Sequence, residues 1–142
     1  MTKSVKEIIS ITIGCFDLLH RGHKELFKFM RDKSDHIVCF IHDNESIQKN
    51  KNITDVQELK TRMDNVKPYV DELYPVYTAD PTTYLKKFIE ENESKYDFVY
   101  MRGNDWEEFP GIKYIKEKKI QITYKEYTKG VSSTQLRKKN KE

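Results

Sequence analysis

Two histidines stand three positions apart across a glycine in the segment His20-Arg-Gly-His23. A neutral imidazole can donate a hydrogen bond to a phosphoryl oxygen, and Gly22 lets an anion approach the backbone closely. If a helix begins near Gly22, the N–H groups of its first turn and its positive dipole end favour the same anion. This pattern predicts a phosphate-binding site, although histidine pairs at this spacing also occur by coincidence.

The sequence around the pair has the strand, loop and helix that a phosphate site requires. Residues 8–13 form an apolar run with strand character, and the turn Gly14-Cys-Phe-Asp17 follows it directly. Residues 24–33 then carry apolar side chains at helical spacing on one face: Leu26, Phe29 and Met30. The context therefore favours a functional anion site over a coincidental pair.

The segment 14–23 resembles the signature of the HxGH nucleotidylyltransferases, and within them the small cytidylyltransferases of the glycerol-3-phosphate type. Further segments match that family in the same order along the chain: 48–51, 69–72, 102–106 and 129–134. The resemblance covers nearly the whole chain, and ordered motifs at compatible spacing are far more specific than a single histidine pair.

The resemblance implies a reaction in which CMP passes from CTP to a small phosphorylated alcohol such as glycerol 3-phosphate. The products are a CDP-alcohol and pyrophosphate. Because the attacking phosphate is already ionised at neutral pH, alignment and stabilisation of negative charge suffice without a general base. The resemblance further implies Mg²⁺ bound with the triphosphate, and a homodimer. The CTP preference depends on family likeness alone, so adenylyl transfer to a sugar phosphate remains the alternative among enzymes.

The resemblance also implies roles for individual residues. His20, His23 and Lys51 would be catalytic, while Lys49 would approach the phosphate of the acceptor, with Lys86 as a second acceptor-binding candidate. No residue is assigned as a dedicated metal ligand, and Asp17 would have a structuring role. The residues expected around the nucleotide are Gly14, Cys15, Phe16, Asp17, Gly22, Arg102, Gly103, Asp105, Trp106, Tyr127, Thr128, Gly130, Val131, Ser132, Ser133 and Thr134.

One departure from the family pattern affects the C-terminal motif. Tyr127 stands where the family has an arginine, and a tyrosine supplies no positive charge. Lys125 or Lys129 could supply the charge instead, but a lysine lacks the bidentate geometry of a guanidinium.

Two further family arginines are also replaced. Lys60, with Arg62 close by, stands at one of these positions and Pro68 at the other. A nucleotide-binding protein that no longer turns its ligand over is therefore a second hypothesis, beside an active enzyme.

Strand-like and helix-like segments alternate along the whole chain. Strands are predicted at 8–13, 36–42, 73–77, 98–101 and 119–124, with helices after Gly22 and at 56–67, 82–92, 112–118 and 132–139. Lys49 and Lys51 are assigned to a loop. The alternation predicts a Rossmann-like, doubly wound α/β fold with a parallel five-stranded sheet in three α/β/α layers. All the matched motifs except 69–72 follow predicted strands, so they converge on one crevice beyond the carboxyl ends of the strands.

Composition restricts the class of protein. The chain of 142 residues is expected to form one domain, 1–142, with 137–142 as a flexible basic tail. A net charge of +3 and the lack of a basic, aromatic stripe argue against a nucleic-acid partner. No apolar run approaches the roughly 18 residues of a membrane span and no signal peptide is evident, so a cytoplasmic protein is expected. Cys15 and Cys39 are read as reduced, with Cys15 open to a ligand-facing role.

Overall fold

The computed structural model describes residues 6–51, 56–103 and 111–125, apart from the side chains of 48–51 and 103. The strands are β1 (Glu7–Gly14), β2 (His36–His42), β3 (Glu72–Val76), β4 (Tyr96–Gly103) and β5 (Gln121–Lys125). The helices are α1 (Arg21–Lys33), α2 (Asn44–Lys51), α3 (Leu59–Val66), α4 (Thr82–Asn92) and α5 (Ile112–Glu117), and a 3-10 turn (Lys67–Tyr69) joins α3 to β3.

All five strands pair in parallel in the order β3-β2-β1-β4-β5. The chain builds outward from β1 through β2 to β3, then returns to the other side of β1 for β4 and β5. The strand order therefore reverses between β1 and β4, which is where ligands bind in folds of this kind. The predicted Rossmann-like, five-stranded parallel sheet is confirmed.

Helices cover both faces of the sheet, so β2 and β4 are apolar on both sides, whereas β1 has the small polar residues Ser10 and Thr12 on one side. One face packs against α4 and α5, and its buried residues include Ile9, Ile11, Ile13, Val38, Phe40, Leu85, Ile89, Tyr100 and Ile115. The other face packs against α1 and α3, and its buried residues include Leu26, Phe27, Met30, Ile37, Cys39, Ile41, Val66, Val99 and Met101. Packing on both faces fixes the positions of β1, β2 and β4, so their carboxyl ends lie side by side along one edge of the sheet.

The structure corrects one part of the sequence analysis at this edge. Lys49 and Lys51 do not lie in a loop, because α2 begins directly after β2 and extends to Lys51. The Oδ1 atom of Asp43 accepts hydrogen bonds from the backbone N–H of Ser46 at 2.9 Å and from its hydroxyl at 2.5 Å. A side chain that bonds the third residue of the helix in this way is an N-cap, which explains why a polar segment is helical here.

The helix predicted at 56–67 is shorter in the structure and begins at Leu59. Within the described residues, no helix is sufficiently long and apolar to cross a bilayer. The helix predicted at 132–139 and the tail at 137–142 lie outside the described residues.

Candidate active site

Two residues of the loop between β1 and α1 have a backbone conformation that is rare outside glycine. Phe16 and Leu18 have φ angles of 51° and 50°, in the left-handed region. The ring of Phe16 lies back over Gly14, where an added Cβ would be 3.1 Å from the ring atom Cε2. Gly14 therefore has a packing reason to lack a side chain. We call residues 14–20 the signature loop.

His20 ends the signature loop and caps α1. Its Nδ1 atom accepts a hydrogen bond from the Gly22 N–H at 3.0 Å, while its own N–H donates to Nδ1 of His23 at 3.2 Å. This reciprocal pair is a capping box made from two histidines. Because both Nδ1 atoms are acceptors, the proton of each neutral ring lies on Nε2. Both imidazoles are therefore donors through Nε2.

The two rings are held parallel as well as capped. Their centroids are 3.8 Å apart with an interplanar angle of 20°. Phe16 packs edge-on against His23 at 5.3 Å and stacks on Phe27 at 5.2 Å, which connects the pair to the core. Burial lowers the pKa of His20 below its ordinary value, so its neutral form predominates at pH 7.

The signature loop is tied to the segment that precedes α3. Asp17 is buried, and its Oδ1 accepts from the backbone N–H of Gln57 at 2.8 Å. The side-chain Oε1 of Gln57 in turn accepts from the N–H of Leu18 at 3.0 Å. These contacts are what a structuring role of Asp17 requires, and they hold residues 56–58 out of α3.

The two cysteines lie in different surroundings. Cys39 is fully buried in β2, and burial raises the pKa of its thiol well above the ordinary value. Cys15 is half-buried in the signature loop with a free thiol. Of the two thiols, only that of Cys15 is accessible from the surface.

The loop that is predicted to contact the nucleoside is described only at its start. Arg102 is half-buried near the carboxyl end of β4, and Gly103 is the last residue of that strand. Because β4 is the neighbour of β1, both residues lie beside the signature loop in the sheet. The other residues predicted around the nucleotide lie outside the described residues: Asp105, Trp106, Tyr127, Thr128, Gly130, Val131, Ser132, Ser133 and Thr134.

The predicted lysines are distributed over three elements. Lys49 and Lys51 belong to the last turn of α2, and their side chains lie outside the described part of the structure. Lys86 is exposed on α4. Lys125 ends β5, and its Nζ is 3.7 Å from Oε2 of Glu25 on α1.

Lys60 and Arg62 have opposite orientations on α3. The side chain of Lys60 is 87% exposed and pairs with Asp64 at 2.9 Å. Arg62 is instead fully buried and points toward the signature loop. Arg62, two positions after Lys60 on the helix, is therefore the arginine of α3 that reaches the signature loop. A buried arginine two positions from a motif residue gives no signal in the sequence alone.

The donor set determines how a metal ion could be held. Among the described residues, no group of three or more His, Cys, Asp or Glu side chains could hold one. Mg²⁺ is commonly bound through substrate phosphates with few protein ligands, so a triphosphate-bound Mg²⁺ would need no such group of side chains.

Comparison with known proteins identifies the family. A model of the family described as cytidylyltransferase-like matches residues 11–139. The chain belongs to this family. Glycerol-3-phosphate cytidylyltransferase of Staphylococcus aureus (strain NCTC 8325 / PS 47) is 30% identical over 131 residues, covering 89% of this chain and 90% of that protein. The enzyme of the same name from Bacillus subtilis (strain 168) is 29% identical over 128 residues, covering 89% of this chain and 92% of that protein.

Solved structures agree with the fold of this cytidylyltransferase-like chain. The lipopolysaccharide core biosynthesis protein from Thermoplasma volcanium GSS1 superposes with a TM-score of 0.63 at 19% identity, covering 88% of this chain and 99% of that one. The predictions of a cytidylyltransferase family member and of a nucleotidyltransferase-type enzyme are confirmed by these comparisons.

Proposed function

We propose that the protein transfers CMP from CTP to the phosphate of a small phosphorylated alcohol, glycerol 3-phosphate or a near relative. Support comes from family membership, from relatives named glycerol-3-phosphate cytidylyltransferase that match along 90% and 92% of their length, and from the histidine pair. The products are a CDP-alcohol and pyrophosphate.

The geometry of the histidine pair carries the proposal. His20 and His23 are fixed by a capping box so that both rings have Nε2–H donors at the start of α1. A helix N-terminus with two such donors stabilises the negative charge of a polyphosphate. Burial lowers the pKa of His20, so its neutral form, which has the proton on Nε2, is favoured at pH 7.

In the proposed reaction an oxygen of the acceptor phosphate attacks the α-phosphorus of CTP in line. A new P–O bond forms as the bond from the α-phosphorus to the bridging oxygen breaks, and pyrophosphate leaves with that electron pair. Negative charge on the phosphate oxygens is stabilised by the Nε2–H groups and by backbone N–H groups of α1. No proton transfer is needed, because the attacking oxygen is ionised at neutral pH.

The remaining predicted residues have supporting roles in this proposal. Lys51 contacts the triphosphate and Lys49 the acceptor phosphate, both from α2, with Lys86 as a further acceptor contact. Arg102, Gly103, Asp105 and Trp106 surround the nucleoside, and residues 128–134 hold the outer phosphates. Mg²⁺ bound to the triphosphate neutralises part of its charge when present. A homodimer is proposed on the same family likeness.

The decisive experiment measures pyrophosphate release by the purified protein with Mg²⁺. CTP, ATP, GTP and UTP are each combined with glycerol 3-phosphate, phosphoethanolamine, phosphocholine and sugar phosphates. We expect turnover with CTP and one phosphorylated alcohol, and a loss in kcat of about 10²- to 10³-fold in His23→Ala, because a charge-stabilising donor is removed.

His36→Ala is the matched control, because His36 begins β2 at the opposite edge of the sheet and bonds Glu72 at 2.6 Å. It should keep the kcat of the unmodified protein. Tight CTP binding without turnover on any acceptor would instead indicate a nucleotide-binding protein that has lost catalysis, and turnover with ATP alone would contradict the CTP preference.

A further inference from the structure

We propose that Arg62 is a positioning residue that holds the signature loop and the start of α2 in one fixed geometry. In this way the histidine donors and the helix that carries Lys49 and Lys51 act on the same pair of substrates. The inference rests on the proposed function for its kinetic consequence, and on the contacts of Arg62 for its structural one.

The guanidinium of Arg62 bonds four acceptors, which lie in the signature loop, at the end of β2, in α2 and before α3. Nη1 donates to the carbonyl of Cys15 at 2.9 Å, in the signature loop, and to the carbonyl of His42 at 2.7 Å, at the end of β2. Nη2 donates to Oδ1 of Asn44 at 2.6 Å, in the first turn of α2. Nε donates to the carbonyl of Gln57 at 2.9 Å, which closes the network on the residues before α3.

These bonds use four of the five N–H donors of the guanidinium, and all four acceptors are neutral carbonyl or amide oxygens. Burial lowers the pKa of Arg62, while the nearby carboxylates of Asp17 and Asp43 act in the opposite direction. An arginine remains charged under such conditions. A fully buried charge is costly unless it is hydrogen-bonded, and the four bonds of Arg62 together with the nearby carboxylates oppose the cost of its desolvation.

The signature loop needs such external support. Phe16 and Leu18 are both in the left-handed region without being glycine, and such strained residues persist only where the surrounding structure holds them. Gln57 supports the far side of the loop through Asp17 and Leu18. Arg62 supports the near side at Cys15 and is the contact that also reaches α2.

This arrangement requires the planar shape of the arginine side chain. A planar fork can reach Cys15, His42 and Asn44 together, whereas a lysine ammonium at the end of a flexible stem cannot satisfy acceptors spread over three segments. The conservative variant Arg62→Lys therefore keeps the charge and removes the geometry.

The test uses Arg62→Lys in the full chain, with kcat and KM for both substrates normalised to the folded fraction and CTP affinity from calorimetry. We expect CTP affinity within about 5-fold of the unmodified protein, but a kcat about 10- to 100-fold lower and a raised KM for the acceptor, because small misplacements of reacting groups are costly in rate. Added guanidinium ion should restore part of the kcat of Arg62→Ala.

Arg31→Lys is the control, because Arg31 is a half-exposed arginine whose Nη1 bonds Asp71 at 2.7 Å, far from the signature loop. It should keep both kcat and KM. An unchanged kcat per folded molecule in Arg62→Lys would overturn the proposal and leave Arg62 with a role in stability alone.

Failure of the proposed function is recognised separately, because the unmodified protein would then release no pyrophosphate with any acceptor. In that case amide hydrogen exchange decides. Faster exchange at the N–H groups of Leu18 and Ser46 in Arg62→Lys, but not in Arg31→Lys, would support the positioning role, since these amides report on the signature loop and α2. Unchanged exchange at both would refute it.

Discussion

The two ring nitrogens of His20 differ in their hydrogen-bonding roles, since Nδ1 is an acceptor and Nε2 is a donor. Nδ1 completes the first turn of α1 by accepting from Gly22, and this leaves the proton of the neutral ring on Nε2. The sequence analysis compared a phosphate contact only with a coincidental pair. The structure shows the cap, and the cap is compatible with donation from Nε2 to a phosphate. A cap formed by an ionised aspartate would give no such second donor.

The protonation of His20 should couple stability to pH. Its folded-state pKa lies below the unfolded value, so the unfolded chain binds more protons in the interval between the two. Its contribution is complete above about pH 6.5 and is lost as the pH falls toward the folded pKa. In His20→Asn, where the amide oxygen can still cap α1, we expect a smaller loss of unfolding free energy between pH 7 and pH 5 than in the unmodified protein. Urea unfolding of both proteins at several pH values measures this change in unfolding free energy.

His20→Ala provides the control for the cap in that experiment. It should be less stable than His20→Asn by about 1 kcal/mol at pH 7.5, because alanine leaves the Gly22 N–H without its acceptor. The same dependence on pH in His20→Asn and in the unmodified protein would show that His20 does not titrate as inferred.

At the scale of elements, periodicity predicted most of the fold. The structure has β2 and α4 with the predicted limits, because β2 is an unbroken apolar run between turn residues and α4 has apolar residues at helical spacing. The segment α2 was missed since it is polar and follows β2 without a loop. Its cap residue Asp43 was visible in the sequence, but a cap without an apolar face is weak evidence for a helix.

Tertiary contacts account for the remaining differences at helix ends. The predicted start of α3 at 56 is wrong because Gln57 bonds Asp17 of the signature loop, 40 positions away, instead of continuing the helix. Lys119 has a φ of 59°, so the chain turns there and β5 begins only at Gln121. Such long-range bonds and local left-handed residues leave no periodic signal in the sequence. The burial of Arg62 could not be predicted for the same reason, because it depends on acceptors that are distant along the chain.

The cap of α2 should be measurable by substitution. Asp43→Ala removes the acceptor for the Ser46 N–H and should lower the free energy of unfolding by about 1 kcal/mol, within the 0.5–2 kcal/mol typical of N-caps. Asp43→Asn keeps an acceptor oxygen at the same place and should lose clearly less. Chemical denaturation of both variants tests this expectation, and equal losses would mean that the charge of Asp43 matters more than its hydrogen bonds.

At the scale of the whole molecule, the site depends on the sheet, which is packed on both faces and supports the loops of the site. The signature loop follows β1, α2 follows β2 and Gly103 ends β4, so three adjacent parallel strands deliver the site to one edge. The sequence predicted this convergence because every segment was short and the alternation was regular. It could not predict the distances between the loops, which are determined by buried side chains such as Arg62 and Asp17.

The central strand should therefore dominate the stability of the molecule. Ile11 is completely buried in β1, where it lies opposite Val38 of β2 and Tyr100 of β4, whereas Ile8 in the same strand is 37% exposed. Ile11→Ala should lower the unfolding free energy by about 2–5 kcal/mol, because it removes buried methyl groups and leaves a cavity. Ile8→Ala, with the same chemical change, should cost about 1 kcal/mol or less. Since a domain of this size has only about 5–15 kcal/mol in total, urea midpoints should separate the two variants clearly. Similar losses in both would mean that β1 is not the centre of the folded core.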